Sequence, residues 1–133
     1  MNLTAKIYDD TLPCLKILKE KGYLIAVLTD LPSSMPDEMF IKDIPQIMGS
    51  IDLYMSSAMC GFRKPNKQGV CLIAEKLNIE ITDLCFVGDE LKDIQTAKNA
   101  GCKAVCINRN NEYKDYGQDY TISVLEELLD NLY

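Results

Sequence analysis

The sequence contains no histidine and no tryptophan. Without an imidazole there is no Ser/His/Asp triad, no Cys/His pair and no HExxH zinc helix. Any chemistry must therefore rest on carboxylates, lysines, hydroxyls, thiols or a bound metal. Long apolar runs are missing as well: 47% of the 133 residues are hydrophobic, yet no run approaches the roughly 18 residues that cross a bilayer. The opening MNLTAKIYDDTL has no basic start leading into an apolar stretch, which points to the cytoplasm and away from the membrane. Basic clusters are scarce too. Lysine and arginine number 14 against 20 aspartates and glutamates, a net charge of −6, and the longest basic run is the dipeptide Arg63-Lys64. Such a chain lacks the footprint of a nucleic-acid binder and suits cations and small molecules. Finally, the six cysteines include no CxxC pair and none is followed six positions later by arginine, which excludes a thiol-phosphatase loop. Four lie in apolar runs, where a reduced cysteine acts as a small hydrophobe.

What is present is an alternation of short apolar runs with helical patterns, the mark of an α/β protein with a mostly parallel sheet. The length fits one domain, residues 1–133. Cys14, Ile17 and Leu18 predict a helix from Leu12 to Lys21, with Thr11 as cap and Gly22 as stop. Tyr23 to Leu28 reads as a strand covered on both faces, and Asp30 to Pro36 as a loop. A weak helix from Met39 to Met48 and a short strand, IDLYM, follow. Val70, Ile73, Ala74 and Leu77 define a helix capped by Asn66. Leu84 to Val87 is a strand, Asp93 to Ala100 a helix stopped by Gly101, and KAVCI another strand. After a polar surface loop from Asn108 to Gly117, Ser123 and Glu126 predict a capping box for a last helix carrying Leu125, Leu128, Leu129 and Leu132.

In an open parallel sheet, ligands bind beyond the carboxyl ends of the strands. Three polar stations fall there: Thr29 with Asp30 after YLIAVL, Lys64 in GFRKPN, and GDELKD from Gly88 to Asp93. Asp89 and Asp93 are one helical turn apart and can face the same side of the crevice. A carboxylate pair of this kind suits Mg²⁺, completed by waters and a substrate phosphate; alternatively, Asp89 caps a helix and Asp93 is a first-turn acid favoured by the dipole. Thr29 can donate its hydroxyl to a phosphate oxygen, and Lys64 can neutralise a transferring phosphoryl group. Each alone is an ordinary turn residue; their order along one sheet gives the pattern its weight.

Taken together, YLIAVLTD, GFRKPN and CFVGDELKDIQTAKNAGCKAVCINR resemble the haloacid dehalogenase (HAD) superfamily of phosphohydrolases, from Tyr8 to the C-terminus. The resemblance implies a three-layer α/β/α sandwich with a mostly parallel Rossmann-like sheet and, here, no cap domain. It implies Thr29 and Asp30 as the phosphate-binding second motif, Lys64 as the third-motif lysine, and Asp89 with Asp93 as the Mg²⁺-holding acids. Thr29 and Lys64 would be catalytic, and the substrate a small phosphorylated metabolite. The reaction implied is attack by an aspartate on a phosphate ester, then hydrolysis of the aspartyl phosphate by water.

One motif departs from the family. The DxDx[TV] sequence that carries the nucleophile and the general acid is missing, and the nearest match, AKIYDDTL, has Asp9 and Asp10 adjacent. Successive strand residues point to opposite faces, so this pair cannot reproduce a DxD on a strand. Two explanations fit. YDDTLPCLKILKEKG resembles the segment returning from a cap domain, which makes the chain the C-terminal portion of a longer phosphatase. Alternatively, Leu3 to Tyr8 is the central strand and brings Asp9, a weak candidate nucleophile, or Asp10 to the crevice. A domain that binds Mg²⁺ and phosphate without catalysis is a second functional class. A receiver-like phosphoacceptor domain is more distant, because Lys64-Pro65 falls halfway along the chain and no acid follows IDLYM.

Overall fold

Pro13 in the first turn and buried Cys14 and Leu18 four residues apart make Thr11–Glu20 a one-sided helix, α1. Gly22, at φ +91°, turns the chain out of it. The computed structural model describes residues 10–31, 36–42, 44–110 and 112–130, and only the backbone of residues 39, 40 and 46. The cap position belongs to Asp10 and not to Thr11, and the Asp10 carboxylate is engaged elsewhere, with Arg109 and the Leu125 N–H.

Strand β1 spans Ala26–Thr29, later and shorter than the apolar run suggests. Its start is set by Asp52, whose carboxylate accepts the Ile25 N–H at 2.7 Å and so takes the place of a ladder bond. Leu24 is left half exposed before the strand. The single helix expected over 39–48 is two short ones, α2 Asp37–Lys42 and α3 Pro45–Met48. Pro45 explains the break: it has no N–H to donate and drives Ile44 out of the helical region, to φ −127°. Strand β2, Leu53–Ser56, runs directly into a four-residue helix, α4 Ser57–Cys60, which Ser56 caps by accepting the Met59 N–H.

Helix α5, Gln68–Leu77, begins two residues after Asn66. Asn66 is therefore not its cap; its side chain accepts the Gln68 N–H in a turn leading to the helix. A 3₁₀ turn, Ile81–Asp83, precedes β3 Cys85–Gly88, which leads into α6 Leu91–Ala100 and β4 Lys103–Ile107. A third strand on this side, β5 Tyr120–Ile122, follows the polar loop. The last segment is a 3₁₀ helix, Leu125–Asp130, and the expected capping box is not formed: the Ser123 N–H donates to Glu127 and not to Glu126. Leu132 lies outside the described residues, as do Leu3 to Asp9.

Every strand pairing is parallel, in two groups: β1 with β2, and β3 with β4 and β5 in that order. Strand β4 shows how the layers form. Val105 and Ile107 point into a core with Cys14 and Leu18 of α1 and Leu128 of the last helix. Ala104 and Cys106 point the other way, to Val70 of α5 and Ile94 and Ala97 of α6. This period-two division of one strand between two helical layers is the α/β/α sandwich that the apolar runs predict.

Candidate active site

The three polar stations lie at the carboxyl ends of β1, β2 and β3, and Lys64 joins two of them. Its backbone N–H donates to both oxygens of Asp30, at 3.1 and 3.2 Å. Its ammonium reaches Oδ1 of Asp93 at 2.7 Å, in a pair whose side chains are only 13% and 5% exposed. An ion pair this dry persists only if the remaining acceptor positions are filled. They are, because Asp93 Oδ2 accepts the backbone N–H groups of Asp89 and Glu90 at 3.1 and 3.0 Å.

Local sequence explains how Asp93 comes to this position. Glu90 is the cap of α6, and Asp93, three residues on, completes a reciprocal capping box with it. Gly88 makes room. A Cβ on Gly88 would collide with the Asp93 side chain, so only glycine allows the strand to approach the helix this closely. Asp89, in contrast, is exposed: its N–H donates to Asp93, and its carboxylate has no hydrogen bond or ion pair among the described residues. The two acids therefore differ: Asp93 is buried and fully engaged, whereas the Asp89 side chain is exposed. Thr29 ends β1 opposite Ser56, half-buried, next to Asp30.

Residues with weaker sequence signals hold the rim. Lys92 lies 3.7 Å from Asp30, whose side chain is 6% exposed. Arg63 donates to the Leu31 carbonyl at 2.6 Å, and Ser57 accepts the Leu31 N–H, fixing the exit of β1 against α4. Asn99 of α6 donates to the Pro65 carbonyl. The Arg63-Lys64 dipeptide and the Ser56-Ser57 pair are the only sequence hints of this stitching. Thus Asp30, Lys64 and Asp93 meet directly, Asp89 joins them through its N–H, and Thr29 is next to Asp30 in the chain.

A family model for haloacid dehalogenase-like hydrolases matches residues 1–101. The chain belongs to that family. A phosphoglycolate phosphatase of Vibrio vulnificus is 30% identical over 134 residues, which cover 95% of this chain and 56% of that one. A HAD phosphatase structure from Thermococcus onnurineus superposes with a TM-score of 0.83 at 29% identity, covering 95% of this chain and 58% of that one. A 2-haloacid dehalogenase from Pseudomonas syringae, at 20% identity and a TM-score of 0.79, shares the fold. This HAD-like chain thus spans somewhat over half the length of the relatives it matches.

The adjacent acids near the start of this HAD-like chain fall on two sides of the described boundary. Asp9 lies outside it. Asp10 is held by both Arg109 nitrogens, at 3.0 and 3.1 Å, and by the Leu125 N–H at 2.9 Å. Arg109 keeps the Asp10 carboxyl below its ordinary range, as does the Leu125 N–H, against the opposing effect of burial. A carboxylate with both oxygens engaged in this way ties α1 to the end of β4 and is not poised for attack. Four of the thiols are equally unsuited to nucleophilic work. Burial pushes Cys102 up to about 11 and also raises Cys14, Cys85 and Cys106, and all six cysteines are free. No helix among the described residues is long and apolar enough to cross a membrane.

Proposed function

We propose that this chain is the core of a Mg²⁺-dependent phosphate monoester hydrolase acting on small phosphorylated metabolites, and the C-terminal portion of a longer phosphatase, without a cap domain of its own. The observation that carries this reading is the convergence on Lys64 of Asp30, from the end of β1, and Asp93, from the start of α6. A lysine fixed by two acids at the mouth of a parallel sheet is a rigid positive charge, suited to a phosphoryl group. Thr29 offers a hydroxyl from the neighbouring strand end. Asp30 acts through Lys64: by accepting its N–H, it orients the loop from which the ammonium extends.

The donor set suits Mg²⁺, which takes one or two carboxylates and keeps several waters. Asp89, whose side chain is exposed, and Asp93 would hold the ion. When bound, it supplies positive charge to the phosphoryl oxygens. The nucleophilic aspartate would attack phosphorus as the P–O bond to the alcohol breaks and the protonated alcohol leaves; water would then hydrolyse the aspartyl phosphate to inorganic phosphate and the free carboxylate. Because Arg109 holds Asp10, that aspartate comes from outside the described residues. The same observation favours a second reading, in which the chain binds Mg²⁺ and phosphate without turnover.

Calorimetry with Mg²⁺ and inorganic phosphate tests the site, and hydrolysis of p-nitrophenyl phosphate and of phosphoglycolate, the substrate named in the Vibrio relative, tests the reaction. Asp89→Asn should weaken Mg²⁺ binding at least tenfold, and Lys64→Met should remove phosphate binding. Turnover abolished by both Asp89→Asn and Asp9→Asn assigns the nucleophile to Asp9 and overturns the reading of this chain as the C-terminal portion of a longer phosphatase. Failure to bind either ligand defeats the reading altogether.

A further inference from the structure

We propose that Lys92 is a specificity-determining residue, an assignment that rests on the phosphatase reading: its ammonium binds a second anionic group, a carboxylate or a second phosphoryl group, carried by the alcohol half of the substrate. A closed ring of contacts joins the exit of β1 to the start of α6. Asp30 accepts the Lys64 N–H on both oxygens, and Lys64 reaches Asp93 through its ammonium. Lys92, the residue before Asp93, comes back to Asp30 at 3.7 Å. Two lysines thus stand on one buried carboxylate, Lys64 by its backbone and Lys92 by its side chain.

The two ammonium groups are held very differently. Lys64 Nζ lies 2.7 Å from Asp93, whereas Lys92 Nζ lies 3.7 Å from Asp30 and 3.9 Å from Glu90. Both Lys92 separations exceed hydrogen-bond range, so none of its three protons closes a hydrogen bond among the described residues. An ammonium on a flexible stem between two loose acids has donors free for a ligand. Its depth indicates which part of the ligand it meets. Side-chain exposure rises from 5% at Asp93 and 13% at Lys64 to 38% at Lys92 and 62% at Glu90. A phosphoryl group drawn to Lys64 therefore sits inward, and the alcohol half extends outward past Lys92. Arg63, the cation next to Lys64 in the chain, is already committed, donating to the Leu31 carbonyl at 2.6 Å. A neutral alcohol half leaves Lys92 with Asp30 and Glu90; an anionic one gives it a charge-assisted hydrogen bond. The gain falls only to substrates with a second charge, which makes it selectivity and not general affinity.

The test is calorimetry on the full chain with Mg²⁺, at a constant ionic strength of about 0.15 M. Its probes are phosphonates, whose P–C bond stays intact whether or not the chain turns over. Propylphosphonate has a neutral tail, carboxyethylphosphonate adds a carboxylate, and ethylenediphosphonate adds a second phosphoryl-like anion. One or both of the doubly anionic probes should bind about tenfold or more tighter than propylphosphonate, the scale of one charge-assisted hydrogen bond; whichever does so identifies the second group. Lys92→Gln should bring that ratio close to one, and Lys92→Arg should retain it. Lys98→Gln, the same charge change at the far end of α6, should leave the ratio intact. A ratio near one in the unaltered chain overturns the proposal, as does a ratio that survives Lys92→Gln or is lost equally in Lys98→Gln. Equal weakening of all three probes by Lys92→Gln also overturns it, reducing Lys92 to a support for Asp30. Binding of none of the probes defeats the phosphatase reading itself, whereas propylphosphonate bound without any preference defeats only the role of Lys92.

Discussion

Asp93 bears more of the site than any other side chain, and its spacing from Asp89 points to the crevice without revealing the division of labour. The sequence shows two acids one turn apart; it does not show that one would be buried against Lys64 and two amides while the other stayed open. That difference arises from tertiary contact between segments 29 residues apart. Asp93→Asn removes the partner of a nearly dry ammonium and should cost about 3 kcal/mol in urea unfolding. Adding Lys64→Met to that variant should recover part of the loss, which a double-mutant cycle would read as coupling. Gly88→Ala acts at the same point from the strand side. Its Cβ would displace Asp93, costing about 2 kcal/mol through overpacking, and Mg²⁺ titration should show weaker binding than in the unaltered chain. The acid pair at the start of the chain is the reverse case. Adjacent Asp9 and Asp10 invite a search for a nucleophile, but the Arg109 partner that makes Asp10 structural lies 99 residues away and leaves no local trace.

At the scale of elements, legibility followed the strength of periodicity and of stop signals. Helices α1 and α6 end at glycines with positive φ, and β4 coincides with KAVCI because its residues are apolar on both faces. Boundaries moved where a side chain or a proline intervened, as Asp52 does before β1 and Pro45 between α2 and α3. Strand β5 gave no signal, since only Ile122 of its three residues is buried and its pairing with β4 defines it. Helix α4 gave none either: four residues cannot display a period. Where periodicity was strong, it marks the residues that hold the layers together. Ile94 is completely buried on α6 between α5 and the sheet, so Ile94→Ala should lower stability by about 3 kcal/mol. Leu91, on the same helix but 46% exposed, should lose less than about 0.5 kcal/mol on the same truncation. Thermal or urea unfolding of the two variants separates them.

Over the whole molecule, the absence of histidine acquires a second consequence, because it leaves no side chain whose ordinary titration falls near neutrality. The groups that do shift lie well to either side. Burial and the hydrogen bond to Asp37 push Tyr54 up to about 12, and burial raises Cys14, Cys85, Cys102 and Cys106, so none of these groups charges between about pH 6 and 8. On the acid side, three carboxylates are held below their ordinary value of 3.8: Asp10 by Arg109, Asp52 by Lys19, and Asp119 by the Ala104 N–H and Lys98. Each joins segments distant in sequence: α1 to the end of β4, α1 to the start of β2, and the approach to β5 to α6 and β4. A carboxyl whose folded value is depressed contributes stability that is fully present above the unfolded value. That contribution is lost as pH falls through the lower, folded one. The urea midpoint should accordingly stay level from about pH 8 to pH 6 and decline below about pH 5. Asp10→Asn should lower the midpoint at neutral pH and make the acid decline shallower, because the protonation that weakens the native pair is already built into the variant. A decline of unchanged steepness in Asp10→Asn would show that the Arg109 pair does not link the fold to pH, whereas a step between pH 6 and 7 in the unaltered chain would require a titrating group that these contacts do not contain.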